Sequence, residues 1–374
     1  MRKTLLMLAT ALIALPATAQ ITPSIPDDAP ITPIPQVAPG FDVAAAKARI
    51  VASLDKQYPH LDALYKDLHQ HPEVSFQEVR TAGILAAEMR KLGFTVTEKV
   101  GKTGIVAILK NGEGPVVMVR TELDALPLEE KTGLPYASRA QQTVDGKLTY
   151  VDHACGHDSH MAWWVGAASA LVAMKDQWHG TLMFIGQPAE ETLLGAKAMI
   201  ADGLFTRWPK PDYGFAAHVG PDQVGRVVVK EGAVTSASDK VNITFNGVGA
   251  HGSMPDKSID PVVMGSRFVM DVQTIISRER DPNLFGVISV GSFHAGTVGN
   301  IIPDHADLQL TVRSRDATTR KLLLDGITRT ARAVAEMARA PEPAVAHPAG
   351  TGGVNNDPAL SARTASGLAA AFGK

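Results

Sequence analysis

Beyond residue 94 the apolar positions gather into short continuous runs, separated by stretches of helical spacing. The runs at 104–109, 115–121 (PVVMVRT), 181–187 (TLMFIGQ) and 213–218 read as strands buried on both faces, with a shorter strand at 95–98. Helices are predicted between them over 161–174 and 194–202. Two more precede the first strand. One runs from Asp42 through Leu68 with Ile50, Leu54 and Leu61 toward the core, and the other covers 81–92. Buried strands alternating with helices predict an α/β fold built on a central, mostly parallel sheet with both faces covered.

The pattern changes after residue 234. Residues 240–246 alternate as a half-exposed strand, and Asp260-Pro261 caps a helix reaching about Arg278. Strands at 285–293 and 307–313 and a helix at 317–338 follow. This β-α-β-β-α order predicts a small, inserted α+β unit of the ferredoxin-like, split βαβ kind over 235–343. The first unit then spans 42–234, and 344–374 begins a return to it. In that last stretch Leu360, Leu368 and Phe372 are spaced by multiples of four, near one stripe of a helix.

The first 41 residues read differently. Arg2 and Lys3, an apolar run over 5–15 and Ala17-Thr18-Ala19 form a signal-peptide pattern, cleaved near Ala19. The apolar run is too short to span a bilayer, which takes about 20 residues. The expectation is an exported, periplasmic protein with no stable membrane anchor. Six prolines between 21 and 41 make 20–41 an extended linker. Charged residues make up 20% of the chain and the formal net charge is −2, so nothing supports a nucleic-acid face. With one cysteine no internal disulfide can form, and a lone thiol in an oxidising compartment must be buried or bound.

That cysteine lies in the densest chemical cluster, DHACGHDSH at 152–160. Cys155 and His157 are two apart, which on an extended segment points both one way, and thiolate with imidazole suits a zinc-like ion. Asp158 can orient an imidazole from behind. Glu190 and Glu191 close the run TLMFIGQPAEE, where open sheets build their sites. Their side chains diverge, so one can bind metal while the other accepts a proton. His218 ends another run, and Asp124 follows PVVMVRTEL. No HExxH or G-x-S-x-G motif is present. Residues 247–252 match G-x-G-x-x-G, but Pro255 and Asp256 stand where a dinucleotide site needs its helix.

Seven segments in order resemble the M20 family of metallopeptidases, in its amidohydrolase branch of hippurate hydrolases and N-acyl amino acid amidohydrolases. They are HQHPEVSFQE (69–78), RTELDALPLEE (120–130), HACGHDSHM (153–161), GQPAEE (186–191), AAHVGP (216–221), GAHGSMP (249–255) and GNIIPDHADLQLTVRS (299–314). The resemblance implies a zinc-exopeptidase-like fold with Cys155, His157, Glu191 and His218 binding two divalent ions, zinc or else manganese, cobalt or nickel. It makes Glu190 the general base, and it places His251, Asn300 and Arg313 on a lid and dimerisation unit that contacts the substrate. The implied reaction is hydrolysis of an N-acyl amino acid or short peptide by a homodimer, a dipeptidase or carboxypeptidase being the alternative. Two departures stand out. Thr121-Glu122 replace the usual Ala-Asp, and the expected GSEDF-like segment with a last histidine ligand is absent. The second expectation is therefore a catalytically impaired chain that holds one ion less tightly.

Overall fold

The computed structural model describes residues 41–348 and 350–373. The segment expected to be an export signal, and all but the last residue of the expected linker, lie outside these. Helix α1 (Val43–Gln70) starts at Asp42, whose carboxylate accepts from the Ala45 N–H at 2.9 Å. After α2 (Val79–Lys91) come strands β1 (Thr95–Val100), β2 (Gly104–Asn111) and β3 (Val116–Glu122). A hairpin of β4 (Gln141–Val144) and β5 (Lys147–Tyr150), which the apolar pattern does not foretell, leads into α3 (His157–Ala173). Then follow β6 (Gly180–Gln187), α4 (Gly195–Ala201) and β7 (Tyr213–Ala216).

The first sheet has the order β1-β2-β6-β3-β7. It is mixed rather than mostly parallel, since β1, β2 and β6 pair antiparallel while β6, β3 and β7 pair parallel. Both faces of its middle are dry, as the apolar runs require. Ile105, Ala107, Leu182 and Phe184 pack with α1, α2 and α3, whereas Val106, Met183 and Ile185 pack with Met199 of α4 on the other face. The run at 213–218 is expected to be buried, but β7 takes the sheet edge and is largely exposed.

Short strands β8 (Gly232–Ala233) and, much later, β15 (Asn355–Asn356) pair with each other. Between them lie β9 (Ala237–Asn246), β10 (Ala250–His251), α5 (Pro261–Asp271), β11 (Gly286–Ala295), β12 (Ile301–Ile302), β13 (His305–Ser314), α6 (Ala317–Met337) and β14 (Ala344–Ala346). Strands β11-β13-β9-β14 form an antiparallel sheet, so the βαββαβ order with β14 completing it is the ferredoxin-like arrangement. Val241, Ile243 and Phe245 alternate inward on β9 and meet Phe268 of α5 and Leu323, Ile327 and Val334 of α6. Asp260 caps α5 as expected, but the helix stops at Asp271 and a separate wide turn covers Ile275–Glu279. The last helix, α7 (Pro358–Phe372), contacts α1, where Lys47 lies 4.7 Å over the Phe372 ring. Among the described residues no helix is long and apolar enough to cross a membrane.

Candidate metal centre

The carboxyl ends of the three parallel strands β6, β3 and β7 lie side by side, and the ligand-type groups follow from them. Asp124, two residues past β3 and fully buried, organises the middle. Its Oδ1 accepts from the Glu190 N–H at 3.0 Å, and its Oδ2 accepts from the Glu191 N–H at 3.0 Å and the Ser75 hydroxyl at 2.7 Å. Its backbone carbonyl accepts from His157 Nδ1 at 2.7 Å. One residue therefore sets both glutamates and one imidazole.

The Glu190-Glu191 turn has a second anchor. Glu78, with no solvent exposure, accepts from the Ala189 N–H at 2.7 Å, the Phe76 N–H at 2.9 Å and the Thr103 hydroxyl at 2.5 Å. Burial raises its carboxyl pKa above the ordinary value against these hydrogen bonds. Ala189 itself sits at φ 46°, a conformation that costs a non-glycine residue roughly 1–2 kcal/mol and needs such support. Sequence reasoning missed Glu78 and Ser75, although both lie in HQHPEVSFQE.

Cys155 and His157 do not converge by lying on an extended segment. Gly156 turns the chain at φ 81° and caps α3, so His157 is the first residue of a helix predicted to begin at 161. A Cβ on Gly156 would lie 2.5 Å from Val219 Cγ2, so glycine is needed there for two reasons. His218 sits two residues past β7 with Nδ1 2.7 Å from the Val219 carbonyl and Nε2 3.5 Å from Cys155 Sγ. In both His157 and His218, Nδ1–H is donated to a backbone carbonyl, which leaves the Nε2 lone pair facing inward.

Among the groups whose ligand-type atoms lie within 4.8 Å of one another, two join the expected ligands: Cys155, His157 and His218, and His157, Glu190 and Glu191. His157 Nε2 lies 3.9 Å from Glu190 Oε2 and 3.9 Å from Glu191 Oε1. His157 Nε2 and Glu191 Oε1 are both buried without a hydrogen-bond partner, an arrangement that a cation between them would satisfy. Charge points the same way. Burial, then the Glu191 and Glu190 carboxylates, push the Cys155 thiol up to about 12, and burial raises Glu191. A thiol, two imidazoles and carboxylates fit zinc or a similar divalent ion.

Asp158 does orient an imidazole, but not that of an expected ligand. Its Oδ2 lies 2.6 Å from Nδ1 of buried His69, whose Nε2 is 3.3 Å from Glu130. The Asp158 hydrogen bond raises the His69 pKa against the cost of burial. Behind His218, Glu122 and His160 form a further buried pair at 3.0 Å, with Arg120 bonded to the same carboxylate. Burial pushes Glu122 up, yet the His160 hydrogen bond and the Arg120 charge outweigh it and leave it at about 2. The motif HACGHDSHM contains His160, but its partner stands 38 residues away and no spacing reveals the pair.

His251 and Asn300 come together through the β10–β12 pairing, where the Gly252 N–H donates to the Asn300 carbonyl at 2.8 Å. His251 is exposed and bonded to Ser253 within its own turn. Arg313 lies eight residues along β13 from its first residue, His305, and pairs with Ser238 of β9. Among the described residues none of the three bonds to the ligand groups.

Comparison with known proteins identifies the family. A model of peptidase family M20/M25/M40 matches residues 118–356. The chain is 40% identical over 273 residues to a hippurate hydrolase of Campylobacter jejuni, covering 72% of this chain and 68% of that protein. It is 36% identical over 273 residues to an N-acetylcysteine deacetylase of Bacillus subtilis, covering 72% and 69%. A crystal structure from Bacillus subtilis, described as a dinuclear metal-binding peptidase of the M20 family, superposes with a TM-score of 0.68 at 29% identity, covering 83% of this chain and 81% of that one. The chain belongs to peptidase family M20/M25/M40 and carries that family's hydrolase fold.

Proposed function

We propose that this chain hydrolyses the amide bond of small N-acyl amino acids, with Cys155, His157, Glu191 and His218 holding divalent ions and Glu190 as the general base. One observation carries this reading: the unpartnered Nε2 of His157 faces the two glutamates, and His157 is shared with a second group that contains Cys155 and His218. The relatives that carry the names hippurate hydrolase and N-acetylcysteine deacetylase support the substrate class. Zinc suits the thiol and imidazole donors best, with manganese, cobalt and nickel as alternatives.

Ions held there supply Lewis-acid polarisation of the acyl oxygen and acidify water near neutral pH. Exposure supports this division of roles between the glutamates. The Glu190 side chain is 33% exposed and Glu191 17%, so Glu190 reaches incoming water while Glu191 faces inward. Glu190 takes a proton as the water oxygen bonds to the acyl carbon. It returns that proton to the amine nitrogen as the C–N bond breaks, leaving a carboxylic acid and a free amino acid. Asp124 keeps Glu190 and Glu191 diverging by holding both backbone N–H groups.

Glu190→Gln tests the assignment. Turnover of hippurate and N-acetyl amino acids should fall about 10²–10⁴-fold while ion content stays unchanged. A variant that keeps a near-normal rate would remove Glu190 from the mechanism. A wild-type protein that cleaves dipeptides but none of the N-acyl amino acids would overturn the substrate class.

A further inference from the structure

We infer that Glu122 and His160 are positioning residues that set the His218 imidazole through the Val219 peptide, an inference that rests on His218 being a ligand. The hydrogen bonds run in one direction. The Val219 N–H donates to His160 Nε2 at 2.9 Å, so that nitrogen carries no proton. The other ring nitrogen, Nδ1, therefore holds it and donates to Glu122 Oε2 at 3.0 Å. Glu122 thus selects the one tautomer of His160 that can accept from Val219.

On its far side the same Val219 residue fixes His218. Its carbonyl accepts from His218 Nδ1 at 2.7 Å, which turns the His218 Nε2 lone pair toward Cys155 Sγ, 3.5 Å away. Val219 also packs against Gly156, where a Cβ would come within 2.5 Å, so the His218 loop is seated on the turn between Cys155 and His157. The His160 ring lies 4.5 Å from that of His218 between centroids, and Trp163 packs 5.5 Å from His160 on the outside.

The pair has the marks of a built feature. Glu122 is 2% exposed and His160 3%, and Arg120 bonds to the Glu122 carboxylate. His218 needs such support because it stands beyond an edge strand that is itself exposed. Strand pairing places Arg120 opposite Ala216, the last residue of β7, and leaves the two residues that follow without a ladder. Without the bond to His160, the Val219 peptide would be free to rotate and take His218 with it.

The test compares Glu122→Gln, Glu122→Ala, His160→Phe and the double variant Glu122→Ala/His160→Phe. Glutamine keeps an acceptor for His160 Nδ1–H, so Glu122→Gln should stay within about 3-fold of wild type in ion affinity. Glu122→Ala and His160→Phe should each weaken one ion about 10–100-fold, the range for residues behind a ligand. They should lower kcat more than they raise KM. The double variant should be no worse than His160→Phe, since both act through one bond.

A second readout uses metal-free protein. The nitrogen NMR shifts of His218 should report a proton on Nδ1 in wild type and a mixture of tautomers in Glu122→Ala. This spectrum still decides the matter if His160→Phe fails to fold. An unchanged His218 spectrum, or equal losses in Glu122→Gln and Glu122→Ala, would overturn the inference. A wild-type protein that holds no ion would instead overturn the ligand assignment, with the metal-free spectrum still deciding whether the chain of bonds sets His218.

Discussion

Asp124→Asn is the substitution in which the site's geometry yields a number. The aspartate accepts three hydrogen bonds through its carboxylate, from the Glu190 and Glu191 N–H groups and from Ser75. An asparagine of the same shape does best with its oxygen in the Oδ2 position, which keeps Ser75 and Glu191. Its NH₂ group then faces the Glu190 N–H, so one charge-assisted bond is lost and a buried donor is left unpaired. Together these cost about 2–4 kcal/mol. For a chain of this size that is a fall of roughly 3–6 °C in the unfolding midpoint of the metal-free protein.

Function should suffer more selectively than stability. Misplacing the Glu190 carboxylate by about 1 Å is enough for a loss on the order of 10²-fold in kcat. The Asp124 backbone carbonyl survives the substitution, so His157 keeps its Nδ1 partner and the Cys155, His157 and His218 group should retain its ion. Steady-state kinetics at saturating metal, metal titration and thermal unfolding measure the three quantities separately. If the variant melted with wild type and turned over within 2-fold of it, Asp124 would not be the organising residue.

Further tests address other parts of the site. Gly156→Ala should destabilise by about 1–3 kcal/mol and weaken ion binding, because a Cβ strains φ 81° and displaces Val219. Gly133→Ala, with φ 73° but nothing within 4 Å of its Cβ, is the control: thermal unfolding should drop there while metal affinity holds. Removing metal with a chelator should change the maleimide reactivity of Cys155, and restoring metal should protect the thiol. Equal labelling of both forms would show that Cys155 is no ligand. His69 has a raised pKa, so its contribution to stability is complete below the ordinary imidazole value of about 6.5 and is lost as pH rises through the folded-state value. The stability gap between wild type and His69→Gln, followed by urea unfolding from pH 6 to 9, should therefore shrink. A gap that is constant or grows with pH contradicts the His69–Asp158 ion pair.

Much of the fold was legible because burial on both faces leaves a one-dimensional trace. The middle strands β2, β3 and β6 are nearly continuous apolar runs, and Asp260-Pro261 announces α5 through its cap. Strand β14, three residues long with only its central Val345 half-buried, leaves no such trace. Strand direction was not legible either, since an apolar run does not say which neighbour it will pair with. At the site, the ligand-type residues stood out by residue type and by their place after strands. The groups behind them did not, because their meaning lies in pairings across the chain. Asp158 meets His69 across 89 residues, and Glu122 meets His160 across 38. Asp158 could be read as orienting an imidazole, but nothing in its spacing says that the imidazole is that of His69 on α1.

The separation of the proposed ligands along the chain also bears on how such a site would acquire ions. Cys155 and His218 are 63 residues apart, and joining the ends of a flexible loop of that length costs about 3.7 kcal/mol in chain entropy. An unfolded chain offers an ion little more than the local Cys155 and His157 pair, while the sheet brings His218 and the glutamates into range with that closure already complete. Ion loading should therefore follow folding rather than nucleate it, and the newly made protein should pass through a folded, empty stage in which the choice among competing metals is made.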